Sequence, residues 1–275
     1  MQIWEVIMLG LLQGFTEFLP VSSSGHLVVA QDLLGVGNPG VVLELVLHLG
    51  TLVSVFVVFW SDIVGLFRGF FSLLLSPTGR RPMSEELRTY RRLVGLLLIG
   101  IFPTALFGII LEPLFESMFD SVIAVGLALL LTGVVLFFIS RLGAGRRGLD
   151  RMTGLDALIV GVAQGCAIVP GLSRSGMTIS SALARGLTRD AATRFSFLIS
   201  IPTIAGAALF KLDDILNFSA AQDGIVLVVG FVVAALSGVF AIKLLVRLLQ
   251  KGKLQWFAFY VWVLGAVVLW RSWGV

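Results

Sequence analysis

Charge is the first thing this chain has little of. Only 13% of its 275 residues are Asp, Glu, Lys or Arg, against about 25% in soluble domains. With 57% hydrophobic residues and a mean hydropathy of +1.02, a water-soluble globule is excluded and an integral membrane protein remains. Cysteine is nearly absent. The single Cys166 forms no internal disulfide, has no Cys or His nearby to suggest a zinc site, and reads as a packing residue. The opening Met1-Gln2-Ile3-Trp4-Glu5 lacks the basic region and small-residue cleavage site of a secretory signal, so the first helix is expected in the mature protein. Period-2 alternation is missing as well, which excludes a membrane barrel. The net charge of +4 lies in short loops between spans, where it reports orientation and does not call for nucleic acid.

What is present is a series of apolar runs. Leu93 to Leu111, Ser121 to Ser140 and Gly224 to Ile242 match the roughly 20 helical residues that cross a 30 Å hydrocarbon core. Spans are predicted at 41–60, 93–111, 121–140, 192–210, 224–246 and 254–272. Residues 2–15 and 22–35 are too short to span, and the break between them carries Glu17, Pro20 and the serine run. That pattern predicts a re-entrant helical hairpin, allowed at membrane depth where protein covers the broken backbone. The link 61–92 holds Arg68, Arg80, Arg81, Arg88, Arg91 and Arg92 with Pro77, Gly79 and Pro82, and predicts a basic cytoplasmic loop with a surface helix from Asp62 to Leu75.

The opening pattern then returns. A shift of 151 positions places Gly10, Gln13, Gly14, Ser22, Ser24, Gly25 and Gly35 on Gly161, Gln164, Gly165, Ser173, Ser175, Gly176 and Gly186. The chain therefore reads as two repeats, 1–140 and 152–275, joined by a basic cytoplasmic link at 141–151. Links at 112–120 (Glu112, Glu116, Asp120) and after Lys211 (Asp213, Asp214, Asp223) are acidic, whereas 243–253 carries Lys243, Arg247, Lys251 and Lys253. Basic loops sit inside, so the halves have opposite topology and both termini are external. The expected fold is an all-α integral membrane protein with an inverted-topology repeat: about six transmembrane helices plus two re-entrant hairpins meeting near the midplane.

Positions identical in both copies serve what the hairpins share, such as helix capping by Ser22 and Ser173. Positions that differ are candidates for chemistry: Glu17 faces Ile168, Ser23 faces Arg174, His26 faces Met177 and Leu27 faces Thr178. An acid and a base in one copy and a cation in the other suit a site with two electrostatic ends.

Gln13-x-x-x-Glu17, Pro20-Val21-Ser22-Ser23-Ser24-Gly25-His26 and Pro170-Gly171-Leu172-Ser173-Arg174-Ser175-Gly176-Met177-Thr178 closely resemble the undecaprenyl-diphosphate phosphatases, also called bacitracin resistance proteins. The two motifs occur in the right order and spacing, and the likeness in length and hydropathy covers essentially the whole chain. The resemblance implies hydrolysis of undecaprenyl diphosphate to the monophosphate and inorganic phosphate in the bacterial cytoplasmic membrane, with a divalent cation, magnesium or calcium, and a site open to the outer side. It carries functional roles to Glu17, Ser23, His26 and Arg174, with Gln13 in the first place of the acidic pair and Ser173 and Thr178 beside the arginine. Only Glu17 then remains as a carboxylate to hold a metal.

The residues' own chemistry agrees. Arg174 offers a planar fork of donors for phosphate oxygens. Helix starts at Ser22 and Ser173 add backbone amides, Gly25 and Gly176 leave room for approach, and Ser24, Gly171 and Ser175 complete the anion cradle. Glu17 can hold a metal or orient His26, and His26 can act as base, acid or nucleophile. Three attacks on phosphorus stay open at this point: Ser23 with His26 as its base, which is favoured, His26 directly, or an activated water. Glu44 and His48, four apart on one helical face, read as structural or cavity-lining, and Pro103 and Pro202 as kinks. The expected partners are the polyprenyl diphosphate lipid and membrane lipids, with homo-oligomers left open. A secondary transporter or lipid flippase is the alternative, since inverted repeats with broken helices are also a transport architecture.

Overall fold

The computed structural model describes residues 2–34, 41–75, 83–119, 121–143, 145–211 and 220–273. Gly35, Pro77, Gly79, Arg80, Arg81, Pro82, Asp120, Asp213 and Asp214 lie outside them. Among the described residues the chain is helical throughout: α1 (Ile3–Phe18), α2 (Ser23–Leu34), α3 (Val41–Val58), α4 (Trp60–Leu75), α5 (Glu85–Ile110), α6 (Glu112–Phe119), α7 (Val122–Arg141), α8 (Gly154–Cys166), α9 (Arg174–Ala184), α10 (Arg189–Phe210), α11 (Ala220–Gln250) and α12 (Leu254–Trp273). Five of these, α5, α7, α10, α11 and α12, are long and apolar enough to cross a membrane. Their outer faces expose Phe102, Phe138, Leu236 and Val263, as a lipid-facing surface requires. This is a multi-pass membrane protein.

The sixth expected span differs. Helix α3 ends at Val58, and the chain turns by 86° into α4, so the pair counts as one span only if a broken one. Nor is α4 a simple surface helix. It seats Gly65 and Gly69 against Tyr90 of α5, and its Asp62 is buried and accepts hydrogen bonds from Tyr90 (3.2 Å) and Arg194. Cys166, expected to pack, is exposed at the end of α8.

The two short hairpins are held by spans from the opposite half of the sequence. Helix α1 packs along α11, and α8 along α5. Both contacts rest on glycine: a Cβ on Gly14 would lie 2.7 Å from the Ala234 carbonyl, and one on Gly161 2.0 Å from that of Gly100. Close backbone approach of this kind replaces the hydrophobic drive that lipid removes. The main core gathers between the hairpins and α10, where Phe18 and Phe197 meet edge to face at 5.5 Å. That contact fixes the end of α1, one residue past Glu17.

Candidate active site

Each hairpin breaks over a few residues. In the first, the chain leaves α1 at Leu19, passes Pro20 and re-enters helix at Ser23; Ser22 takes φ 68°, a left-handed value unusual for a side chain with a Cβ. In the second, Gly171 takes φ 92°, and a Cβ there would strike the Val125 carbonyl at 2.4 Å. Ser22 Oγ accepts from the Gly25 amide at 3.3 Å and Ser173 Oγ from the Gly176 amide at 3.1 Å. Both serines therefore act as N-caps.

The hydroxyls also stitch the two breaks together. The Gly171 amide donates to Ser24 Oγ (3.3 Å) and Ser175 Oγ donates to the Leu19 carbonyl (3.1 Å). Thr132 of α7 clamps the second break, donating to the Gly171 carbonyl and accepting from the Ser173 amide, each at 3.1 Å. Thr178 is turned inward, toward the Arg174 carbonyl (2.8 Å) and Ser196 (2.5 Å), and supports the helix that carries Arg174.

Between the breaks lies one carboxylate with partners from three helices. Glu17 is 6% exposed. Its Oε1 accepts from the Arg174 guanidinium; its Oε2 accepts from Ser23 Oγ at 2.7 Å and from Gln13 Nε2 at 3.0 Å. His48 of α3 brings Nε2 to 3.6 Å from the same oxygen. Its Nδ1 donates to the Glu44 backbone carbonyl at 2.8 Å, which leaves Nε2 as the ring atom facing the carboxylate.

His26 is not in this cluster. The expected Ser23–His26 pair is not formed, and Glu17 does not hold that imidazole. Nδ1 of His26 donates back to the Ser22 carbonyl at 2.7 Å, and Nε2 accepts from the Tyr260 hydroxyl at 2.7 Å, with the two rings stacked 5.6 Å apart. Both ring nitrogens are thus committed. Ser23 meanwhile finds Glu17, the nearer and stronger acceptor. Of the predicted residues, Gln13, Glu17, Ser23 and Arg174 come together, Ser22, Ser24, Gly25, Gly171, Ser173, Ser175 and Gly176 build the frame, and His26 stands beside it. Tyr260 and Thr132 escaped the sequence reading. A hydroxyl inside an otherwise apolar span was the available signal.

Fold and site together define a multi-pass α-helical membrane protein with a carboxylate, guanidinium and hydroxyl cluster between two broken helices. The chain belongs to the family described as bacitracin resistance protein BacA, whose model matches residues 6–267. It is similar to the undecaprenyl-diphosphatase of Halothermothrix orenii, 44% identical over 270 residues and 98% of each chain. Proteins of the same name from Carboxydothermus hydrogenoformans (43%, 98% of this chain and 97% of the other) and Methanosphaera stadtmanae (40%, 98% of each) are close behind.

Proposed function

We propose that this protein is a membrane phosphatase that hydrolyses undecaprenyl diphosphate to undecaprenyl phosphate and inorganic phosphate. The observation that carries the site is the contact of Glu17 with both Ser23 and Arg174, one from each hairpin. The named relatives are diphosphatases, and the carrier reading has no support among them. The cytoplasmic membrane, and a site opening to its outer side, complete the proposal.

In the resting site Arg174 is paired with Glu17. An incoming diphosphate offers the guanidinium phosphate oxygens in place of the carboxylate, and Glu17, relieved of that charge, becomes a better base. Ser23 Oγ then bonds to the terminal phosphorus while its proton passes to Glu17, 2.7 Å away. The bond from that phosphorus to the bridging oxygen breaks, and the prenyl monophosphate leaves. Glu17 gives the serine's proton to the leaving prenyl phosphate. Water then bonds to the phosphoserine phosphorus as the phosphorus–Oγ bond breaks, one water proton passing through Glu17 to Ser23 Oγ and the other leaving on the inorganic phosphate. Direct attack by His26 is disfavoured, because Tyr260 occupies its Nε2.

Among the described residues no three His, Cys, Asp or Glu side chains gather to hold a metal. A magnesium or calcium ion shared with the diphosphate nevertheless fits. Gln13 Oε1 is buried without a hydrogen-bond partner beside Glu17, and hard cations take one or two protein oxygens plus phosphate oxygens. When bound, such an ion neutralises phosphate charge. Detergent-purified protein should release inorganic phosphate from a polyprenyl diphosphate, and a chelator should suppress the release. Binding without phosphate release would overturn the reading.

A further inference from the structure

His48 faces the polar cluster, and the mechanism gives it no part. It stands on α3, outside both motifs, and its Nε2 points at Glu17 Oε2 across 3.6 Å. That separation is too long for a hydrogen bond, and an imidazolium donating to a carboxylate closes to about 2.7–2.9 Å. With Nδ1–H given to the Glu44 carbonyl at 2.8 Å, the neutral ring turns its Nε2 lone pair toward the carboxylate. Two acceptors thus face each other with no proton between them. A cation suits such a gap: ligand atoms about 2.1 Å from one ion, a tetrahedral angle apart, lie about 3.4 Å from each other.

The surroundings fit the same reading. Histidines that ligate metals almost always donate their other ring N–H to a carbonyl or carboxylate, which fixes ring and tautomer, and His48 does so. Gln13 touches the same carboxylate oxygen through Nε2 at 3.0 Å, while its Oε1 is buried without a partner. Arg174 takes the other carboxylate oxygen, so guanidinium and ion need not compete for one atom. The spacing is also rigid. A Cβ on Gly50, two residues from His48, would lie 2.5 Å from the Phe231 carbonyl, and one on Gly14, beside Gln13, 2.7 Å from that of Ala234. Both carbonyls belong to α11, within one turn, so a single helix sets the distance between α1 and α3. His48 keeps 34% of its side chain exposed against 5% for Glu17, which leaves the gap an approach.

We propose that His48 Nε2, Glu17 Oε2 and Gln13 Oε1 form a divalent-metal site that prefers a first-row transition ion, manganese, to magnesium or calcium. The site rests on the proposed function, whose diphosphate would share the ion. Carboxylate and amide oxygens alone suit magnesium, calcium and manganese, and an added imidazole favours the transition ion.

The test titrates the full-length protein, purified in detergent and stripped of metal, with manganese alone and reads the bound ion by electron paramagnetic resonance. One ion per chain is expected, with nitrogen modulation from a coordinated imidazole in the pulsed spectrum, and a roughly tenfold excess of magnesium should leave most of it bound. The chain has two histidines, so His26→Asn is the control. The modulation should survive that change and vanish in His48→Gln, where manganese affinity should fall at least about tenfold. No binding, binding without a nitrogen signal, or a signal that persists in His48→Gln would overturn the site, and equal competition by magnesium would overturn the preference. Three of these outcomes need only the unsubstituted protein, so a variant that does not fold leaves the proposal open to refutation. Manganese bound through His48 in a protein that releases no phosphate from a polyprenyl diphosphate would instead overturn the proposed function and leave the metal site standing.

Discussion

Glu17 spends its two oxygens on an arginine, a serine and a glutamine, and each partner makes a different demand on the chemistry. Arg174→Lys keeps the charge but loses the fork that could grip two phosphate oxygens. Turnover of a polyprenyl diphosphate should fall roughly a hundredfold, as misplaced reactants do. Glu17→Gln removes the proton acceptor and should cost between about 10² and 10⁴ in kcat; near-normal turnover in both variants would place the chemistry elsewhere. Ser23→Ala should leave only background, whereas His26→Ala should retain measurable turnover. Quenched labelling with substrate labelled at its terminal phosphate should give an acid-stable adduct at Ser23, and an acid-labile one at His26 would reverse the assignment. Glu17, Ser23 and Arg174 were legible because polar groups stand out against apolar surroundings and because the two similar stretches of sequence, 151 positions apart, differ at these places. The direction of His26 was not legible. A hydroxyl 234 positions away sets its rotamer, and no local pattern encodes such a partner.

At the scale of the element, the α8–α9 hairpin shows how a broken helix is held. Asp156, fully buried in the first turn of α8, accepts from the Thr153 amide (2.9 Å), from Arg147 (2.7 and 3.1 Å) and from Arg185 (2.8 Å). Arg147 also donates to the Arg185 carbonyl. The chain therefore enters and leaves this hairpin at the same end of the bundle. Burial alone would raise the Asp156 pKa, but the Arg147 guanidinium, the Thr153 amide and Arg185 hold it below the usual carboxylate range. Asp156→Asn should lower stability, measured by thermal unfolding in detergent, by about 3 kcal/mol, the low end for a broken buried pair. The low end applies because the arginine side chains remain 31% and 37% exposed. A folded pKa below the unfolded one means the contribution is complete above roughly pH 3.9 and declines as pH falls through the folded value. Unchanged melting in Asp156→Asn would show that the staple is dispensable. Helix lengths were readable from the apolar runs. The 86° turn after Val58 was not, because it depends on where α5 offers Tyr90 to Gly65 and Gly69.

For the whole molecule, hydrogen bonds among the basic segments reduce the orientation to a two-way choice between the ends of the bundle. The three basic segments share an end. Arg92 donates to the carbonyls of Asp150 and, at 2.5 Å, Met152, which ties the link 61–92 to the link 141–153. The Arg147 amide donates to the Gly186 carbonyl at 3.2 Å, and Arg189 reaches the Gln250 carbonyl at 3.1 Å, which brings in the segment 243–253. These segments cannot lie on opposite sides. They contain six, four and four Lys or Arg residues respectively, while the links 112–120 and 211–223 contain only Lys211. Short loops rich in Lys and Arg stay inside, so we expect the shared end to be cytoplasmic, with both termini and the site's opening external. Replacing Cys166, the only cysteine, by serine gives a background for labelling in intact cells. A membrane-impermeant maleimide should label Gln2→Cys at once, but Arg146→Cys and Lys251→Cys only after permeabilisation. Labelling of Arg146→Cys from outside would invert the whole assignment, since the bonds between the basic segments allow no partial reversal.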